Sequence, residues 1–112
     1  MIVAVIPCRN EGTTLASVLR RTLSRVDSVV VVDNASTDNT ASIVARMMFH
    51  SPVALVHCRE PGAGAATRMG IRPAIAMGAD IIVTLDGDGQ HDPLDIPRLV
   101  APLLMNQHNE LS

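Results

Sequence analysis

The stretch SVVVVDNASTD, residues 28–38, decides the fold class, because four consecutive valines run into an acidic residue and a set of turn-forming residues. An unbroken run of β-branched residues without polar alternation is typical of a strand that is covered on both faces, as in parallel sheets. Apolar runs of similar length occur at residues 2–6, 53–57 and 81–85. Together with residues 28–32 they predict four buried strands.

Segments with a helical spacing of apolar residues separate these predicted strands. The three apolar stripes are formed by Leu15, Val18, Leu19, Leu23 and Val26, by Ile43, Val44, Met47 and Met48, and by Ile96, Leu99, Val100, Leu103 and Leu104. A further segment, residues 64–78, is rich in alanine and contains Pro73, which we expect to kink or split a helix. The alternation predicts one α/β domain over residues 1–112, with a doubly wound, mainly parallel sheet and helices on both faces.

The composition of the chain argues against several classes of protein. Its 112 residues, 47% of them apolar, are enough for one core, and a net charge of −2 without a long basic run argues against nucleic-acid binding. All nine basic residues are arginine, which excludes a P-loop, a Schiff base and any catalytic lysine. Phe49 is the single aromatic residue, so a bound sugar would be held by polar groups.

Two further features of the sequence bear on the cellular compartment. Cys8 and Cys58 belong to no C-x-x-C pair, and we interpret them as reduced core residues. The chain runs from Met1 directly into an apolar stretch without a signal-peptide pattern, and no apolar run is long enough to span a bilayer. We therefore expect a soluble, cytoplasmic chain that can still visit a membrane surface.

Polar residues follow three of the four predicted strands, as PCRNEG at residues 7–12, DNASTD at 33–38 and DGDGQHDP at 86–93. In a doubly wound sheet the carboxyl ends of the strands form the ligand-binding edge, near the point where the strand order reverses. Carboxylates that gather there without a lysine repel one another, and a divalent cation or ligand hydroxyl groups would relieve this repulsion. This edge is therefore the predicted functional site.

The strongest single motif follows directly after residues 81–85. Asp86 and Asp88, on a tight glycine-containing turn, can reach one hard cation, and Gln90 adds a neutral oxygen ligand. A Mg²⁺ or Mn²⁺ ion held there keeps open positions for the oxygens of a diphosphate. The alternative is a plain turn before a helix, and we accept that interpretation for Asp92 and Asp95, which fit a helix cap and a first-turn acid.

Other residues at the strand ends have more than one interpretation. Asp33 is placed like an acid that binds the ribose or base of a nucleotide, and Glu11 is either a first-turn acid or, as we favour, a ligand contact. Arg68 either meets a phosphate or is solvated. Residues 36–38 are interpreted as a turn that caps the following helix, and His57 as a surface or loop residue.

Three other site types share parts of this pattern. An EF-hand loop is excluded, because its sixth and twelfth positions, counted from Asp86, hold His91 and Pro97. A nicotinamide site is disfavoured because residues 7–12 contain one glycine where the dinucleotide fingerprint needs three. A haloacid-dehalogenase-like phosphatase with Asp86 as nucleophile stays an alternative, although its later motifs would have to follow within the 22 residues after Gln90.

Four motifs in this order resemble the family 2 glycosyltransferases. They are IPCRNE at residues 6–11, VVDNASTD at 31–38, the segment 64–70 with Arg68, and DGDGQH at 86–91. The resemblance covers essentially the whole chain, and the Gln-His pair looks most like the polyprenyl-phosphate (dolichyl-phosphate) mannosyl- and glucosyltransferase branch. These are inverting enzymes of the GT-A fold, so the resemblance implies a Rossmann-like sheet with strand order 3-2-1-4.

The resemblance also implies roles for individual residues. Pro7, Arg9 and Glu11 match the first donor loop, and Asp33 matches the acid that recognises the base. Arg68 would face a phosphate of the same donor. The D-x-D motif, with Gly87 between its acids, would hold the diphosphate of a nucleotide sugar through Mg²⁺ or Mn²⁺, with Asp86, Asp88 and Gln90 as the metal ligands.

The chain departs from the family pattern at several positions. Arg9 stands where an aromatic residue is common, Asn34 replaces the second acid of an Asp-Asp pair, and Ala63 replaces a frequent lysine. In the family the catalytic base and the acceptor site come from sequence after the D-x-D helix. We therefore expect the base beyond Ser112 and leave it unassigned.

The resemblance implies transfer of a hexose from a UDP- or GDP-linked donor to an acceptor such as a polyprenyl phosphate, at the cytoplasmic face of a membrane. The reaction would be an in-line displacement at the anomeric carbon, with the metal stabilising the leaving diphosphate. Residues 1–112 would then be the nucleotide-sugar-binding domain without the acceptor half. A non-catalytic nucleotide-sugar-binding module is the alternative, since it would bind the same donor without transfer.

Overall fold

The computed structural model describes residues 1–60 and 62–85, in which four strands alternate with three helices. The strands pair in parallel in the order β3-β2-β1-β4. This confirms the doubly wound sheet and its strand order, whereas the apolar stripe at residues 96–104 lies outside the described residues. The elements are β1 (Ile2–Cys8), α1 (Leu15–Leu23), β2 (Ser28–Asn34), α2 (Thr40–Met47), β3 (Val53–Cys58), α3 (Ala63–Ala76) and β4 (Ile81–Thr84).

Helices cover both faces of the sheet. On one face, α1 and α2 pack with Ile6 and Val31 into a single core cluster. On the other face, α3 packs with Val5 and Val30 into a second cluster. Because successive residues of a strand point to opposite faces, β2 contributes to both clusters, and all seven of its residues are buried.

β1, β2 and β3 extend further towards their carboxyl ends than the apolar runs predict, whereas β4 ends at Thr84, one residue before the end of its predicted run. The β1–β2 ladder continues to the pair Cys8 and Asp33, since polar residues keep pairing when both neighbours stay extended. The β1–β4 ladder ends earlier, where the N–H of Leu85 donates to the carbonyl of Val5 at 3.1 Å. Pro7 has no N–H with which to continue that ladder. The sheet therefore opens between β1 and β4, where the strand order reverses.

Gly70 is the point at which α3 lies closest to the sheet. A Cβ atom at this position would be 2.3 Å from Cγ1 of Val5 and 2.8 Å from Cγ2 of Val32. The helical residues one turn away on either side, Ala66 and Ala74, are also small and fully buried. This row of small residues lets the helix backbone approach β1 and β2.

Of the two outcomes expected for Pro73, the split of the third helix is wrong, whereas the kink stays a prediction. α3 runs through this residue as one helix, because Pro73 lies in the last turn and the small residues on both sides of it pack on the sheet. The helix ends at Ala76, and Gly78, the residue after the C-cap, has a φ of 93° that suits glycine. There the N–H of Ala79 donates to the carbonyl of Ala74 at 3.2 Å, as in a Schellman motif.

Other expectations about the core have mixed outcomes. Cys8 and Cys58 are both buried free thiols, as predicted. Met48 is exposed, contrary to its assignment to the second apolar stripe, because α2 already ends at Met47. None of the helices within residues 1–60 and 62–85 has the length and apolar character needed to cross a bilayer.

The contact at Gly70 predicts a loss of stability on enlargement. In Gly70→Ala the added methyl group overlaps Val5 and Val32, so α3 must move away from the sheet, at a cost of about 1–3 kcal/mol in the free energy of unfolding. Urea denaturation followed by circular dichroism measures this change.

Gly64→Ala is the matched control, since it adds the same methyl group to the same helix. Its Cβ would meet only the Arg68 side chain at an ordinary 3.6 Å, and the helix propensity of alanine should stabilise the chain by about 0.4–1 kcal/mol. Equal denaturation midpoints for the two variants would contradict the proposed packing.

Candidate functional site

The loops that follow β1 and β2 are joined through the side chain of Asn10. Its Oδ1 atom accepts hydrogen bonds from the backbone N–H groups of Thr37 at 2.8 Å and Asp38 at 3.2 Å. Its own backbone N–H donates to Oγ of Ser36 at 2.9 Å. Asn10 has a φ of 55°, a left-handed conformation that asparagine tolerates better than most residues. Asn10 in the loop after β1 therefore fixes the backbone of the loop after β2.

Asp38 makes a second connection between the same loops. Its carboxylate accepts the N–H of Gly12 at 3.1 Å, the N–H of Thr40 at 3.0 Å and the hydroxyl group of Thr40. That hydroxyl oxygen in turn accepts the N–H of Glu11 at 3.1 Å. The pKa of Asp38 lies below its usual range, mainly because its carboxylate accepts the hydrogen bond from the Thr40 hydroxyl. Desolvation acts in the opposite direction and raises this pKa.

Residues 36–38 therefore do more than the predicted turn and helix cap. The Asp38 carboxylate does accept the N–H of Thr40 at the start of α2, but the residue at the N-cap position, Asn39, makes no side-chain capping bond. A Cβ atom at Gly12 would lie 2.1 Å from Oδ1 of Asn39. A larger residue at position 12 would therefore require the exposed Asn39 side chain to move.

Asp33 is buried at the end of β2, with 4% of its surface exposed. Its Oδ1 atom accepts the N–H of Ser36 at 3.2 Å, whereas Oδ2 faces Nδ1 of His57 at 3.7 Å. His57 is exposed, as expected, but it belongs to β3 and not to a loop. The structure thus places an imidazole beside the acid that was predicted to bind a base.

Asn34 connects the site to the loop before α3. Its side-chain Nδ2 donates to the carbonyl of Gly62 at 3.3 Å, and Gly62 has a φ of 99° directly before the helix begins. The side chains of Asp33 and Asn34 leave β2 on opposite faces, so the end of this strand contacts loops on both sides of the sheet. The loops after β1, β2 and β3 are therefore tied together at one edge.

The residues predicted to bind the nucleotide-sugar donor differ in their position relative to this edge and in their exposure. Pro7 is the half-buried penultimate residue of β1, Glu11 is half-buried in the loop that follows, and Arg9 is exposed between them. Arg68 is an exposed residue of α3 and lines a shallow cleft of about 390 Å³ together with Glu60, Ala65, Met69 and Arg72. The structure thus brings Pro7, Glu11 and Asp33 to one edge and leaves Arg68 on the outer side of α3.

The predicted metal-binding motif, Asp86, Gly87, Asp88 and Gln90, lies outside the described residues. β4, which precedes it, ends at the same edge of the sheet as β1 and β2. Within residues 1–60 and 62–85, no cluster of three or more His, Cys, Asp or Glu residues could hold a metal ion. The assignment of these metal ligands stays a prediction.

The pKa of the buried Cys8 thiol is affected by the charges at this edge of the sheet. Burial, with the charges of Asp33, Glu11 and Asp38 as smaller causes, raises the pKa of this thiol to about 12. A thiol with this pKa stays protonated at neutral pH and is a poor nucleophile. Cys8 is therefore a core residue that experiences the negative charge of three surrounding carboxylates.

Three residues with a role in the site were not assigned one from the sequence, namely Asn10, Asn34 and His57. Each acts across two elements that are distant in the chain, so no local pattern marks them. The register of parallel β2 and β3, which pairs Asp33 with His57, is a signal that could have identified His57 once the strand order was assumed.

The Asp38 network predicts a pH-dependent contribution to stability. Because the pKa of Asp38 is lower in the folded chain, its carboxylate stabilises the fold above about pH 4 and loses this effect as the pH falls through the lowered value. Asp38→Asn should therefore lower the melting temperature at pH 7 and reduce its fall between pH 6 and pH 3. Glu60→Gln removes an exposed carboxylate outside the network and is the control; an identical acid profile for both variants would contradict the prediction.

Comparison with known proteins places the chain among glycosyltransferases. A family model described as glycosyl transferase family 2 matches residues 3–109. The UDP-N-acetylglucosamine–dolichyl-phosphate N-acetylglucosaminyltransferase of Methanococcus voltae is 32% identical, over 93% of this chain and 47% of that protein. An undecaprenyl-phosphate 4-deoxy-4-formamido-L-arabinose transferase of Pseudomonas savastanoi pv. phaseolicola is 37% identical, over 87% of this chain and 31% of that protein. The chain spans half or less of the length of these relatives.

A solved structure shares the same fold. Glucosyl-3-phosphoglycerate synthase from Mycobacterium tuberculosis, in complex with Mn²⁺, uridine diphosphate and glucosyl-3-phosphoglycerate, superposes with a TM-score of 0.68 and 29% identity, over 93% of this chain and 39% of that chain. The parallel β3-β2-β1-β4 sheet with helices on both faces is the arrangement of the GT-A fold. The family match over almost the whole sequence, joined to this likeness of fold, establishes that the chain belongs to glycosyl transferase family 2.

Proposed function

We propose that residues 1–112 form the nucleotide-sugar-binding domain of an inverting glycosyltransferase that uses a UDP- or GDP-linked hexose. The observation that carries this proposal is the carboxyl edge of the sheet, where three loops are fixed to one another around the buried carboxylate of Asp33. Such an edge is where parallel α/β sheets bind nucleotides. Membership of the family supports the same reaction class.

In this proposal the donor lies across the ends of β1 and β2. Asp33 accepts a hydrogen bond from the base, because its Oδ2 atom has no hydrogen-bond donor among the described residues. Glu11, whose backbone is fixed by Thr40, contacts the ribose or base, and Pro7 and Arg9 shape the loop beside it. Arg68, which is exposed in the second turn of α3, contributes positive charge towards a phosphate.

A divalent metal completes the proposed donor site. Asp86 and Asp88, with Gln90, follow β4 in the sequence and supply the oxygen ligands that Mg²⁺ and Mn²⁺ prefer. The M. tuberculosis neighbour in complex with Mn²⁺ and uridine diphosphate supports a metal of this kind. When bound, the metal stabilises the charge that develops on the leaving diphosphate. The chain has no lysine to take that role.

We propose a lipid phosphate as the acceptor. The M. voltae and P. savastanoi relatives are a dolichyl-phosphate and an undecaprenyl-phosphate transferase, which supports a polyprenyl phosphate as the acceptor, at the cytoplasmic face of a membrane. The catalytic base is left unassigned in this proposal. A non-catalytic module that only binds the nucleotide sugar stays the alternative.

Metal-dependent donor binding is the first test. Isothermal titration calorimetry of the chain with UDP- and GDP-linked hexoses should detect binding in the presence of Mn²⁺ and lose it with a chelator. Asp88→Ala should reduce the affinity at least tenfold, since one of the two acidic metal ligands is lost. Asp95→Ala is the matched control, because we interpret that acid as part of a helix start, and it should bind like the wild type. No binding of any donor in the presence of Mn²⁺ would overturn the proposal.

Release of the nucleoside diphosphate separates the two candidate functions. A transferase should release UDP or GDP when a polyprenyl phosphate in detergent is added to the chain with donor and Mn²⁺. The binding module should bind the donor with the same affinity and release nothing. A coupled assay for free nucleoside diphosphate, with Asp88→Ala as the inactive reference, measures the difference.

A further inference from the structure

Asp33 and His57 form a pair at the carboxyl edge that lies outside the Asn10 and Asp38 network. The two residues are register partners on β2 and β3, so their side chains leave the sheet on the same face. Nδ1 of His57 lies 3.7 Å from Oδ2 of Asp33, which is too far for a hydrogen bond. The Asp33 side chain is 5% exposed and that of His57 is 67% exposed. A buried acceptor therefore adjoins an accessible imidazole.

The geometry leaves one Asp33 oxygen without a hydrogen-bond donor. Oδ1 is used by the N–H of Ser36, whereas Oδ2 has only the imidazole of His57 beside it within the described residues. Within the described residues no fully enclosed side-chain oxygen lacks a partner, so Oδ2 keeps contact with solvent and is open to a hydrogen-bond donor of a ligand. Because the imidazole stands next to Oδ2, a ligand group that reaches this oxygen will also lie next to His57.

We propose that His57 is a specificity-determining residue of the donor site and that, together with Asp33, it selects uracil as the base. The inference rests on the proposed function, in which Asp33 binds the base. Uracil presents one N–H group between two carbonyl groups. Oδ2 of Asp33 accepts that N–H, and a ring N–H of His57 donates to a neighbouring carbonyl.

Other bases match this pair less well. Cytosine carries no hydrogen on N3, so a nitrogen lone pair would face the Asp33 carboxylate. Guanine also presents an N–H beside a carbonyl group, but it adds an adjacent amino group, which would have to share Oδ1 of Asp33 with the N–H of Ser36. A site whose buried polar groups are left unmatched discriminates strongly against the wrong ligand.

Base selectivity in the presence and absence of the imidazole tests this inference. The whole chain is titrated with UDP, GDP and CDP in the presence of Mn²⁺, and with inorganic pyrophosphate as a ligand that lacks a base. The wild type should bind UDP at least about tenfold more tightly than GDP or CDP. His57→Ala should weaken UDP binding about 3- to 10-fold, the effect of one lost hydrogen bond, and leave pyrophosphate binding unchanged.

Two further variants separate a base contact from a structural role. His57→Asn keeps an N–H donor on a shorter side chain and should restore part of the UDP affinity and of the preference over GDP. His50→Ala removes an exposed histidine just beyond the end of α2, at the opposite edge of the sheet, and should bind every nucleotide like the wild type. The melting temperature of each variant is measured alongside, and we expect it to be unchanged in His57→Ala, because that side chain is mostly exposed.

Several outcomes would overturn the inference. A wild-type affinity for UDP in His57→Ala would overturn it. An equal loss of UDP, GDP, CDP and pyrophosphate binding together with a lowered melting temperature would also overturn it, since that result describes a structural ion pair with Asp33. A wild-type preference for GDP would overturn it as well. If the wild type and His57→Ala bind UDP equally, only the inference about His57 fails. If the wild type binds no nucleoside diphosphate in the presence of Mn²⁺, the proposed function fails as well.

Discussion

The burial of β2 on both faces is the constraint on which the rest of the structure depends. Every residue of this strand is buried, and its side chains alternate between two helical layers. Valines satisfy this constraint as far as Val32, but the last two residues are polar, and buried polar groups need partners. Asp33 accepts the N–H of Ser36 on one side, and Asn34 donates to the carbonyl of Gly62 on the other. The end of one strand thereby organises loops on both faces.

The strands and their order could be predicted because their signals are local and the topology of alternating strands and helices has few solutions. The loop contacts could not, because they join parts of the chain that only the finished sheet brings together. Asn10 and Thr37 are 27 residues apart, and no spacing rule connects them. Pro73 is a case of the opposite kind, in which the local rule is clear but packing of α3 on the sheet overrides it.

Some residues of the candidate site are likewise marked by local sequence, whereas others are brought together only by the folded sheet. Asp33 and Glu11 could be chosen from the sequence because each follows a strand, and strand ends mark the binding edge of such a sheet. His57 is also near a strand end, but its significance comes from its partner on β2, which requires the register of the two strands. The pKa of Cys8 is raised mainly by burial, and carboxylates from separate loops add to this effect on one buried group. That joint field is a property of the folded edge and is not visible in any single motif.

The hydrogen bonds of Asn10 and Asp38 have a thermodynamic consequence for whatever binds at this edge. They are internal to the protein, so the backbones of the first two loops are fixed by the chain itself. Fixing the backbone of one residue costs about 1–2 kcal/mol of conformational entropy, and this cost falls on folding and not on association. The free energy of ligand contacts with these loops therefore contributes to affinity, because binding does not have to order the polypeptide.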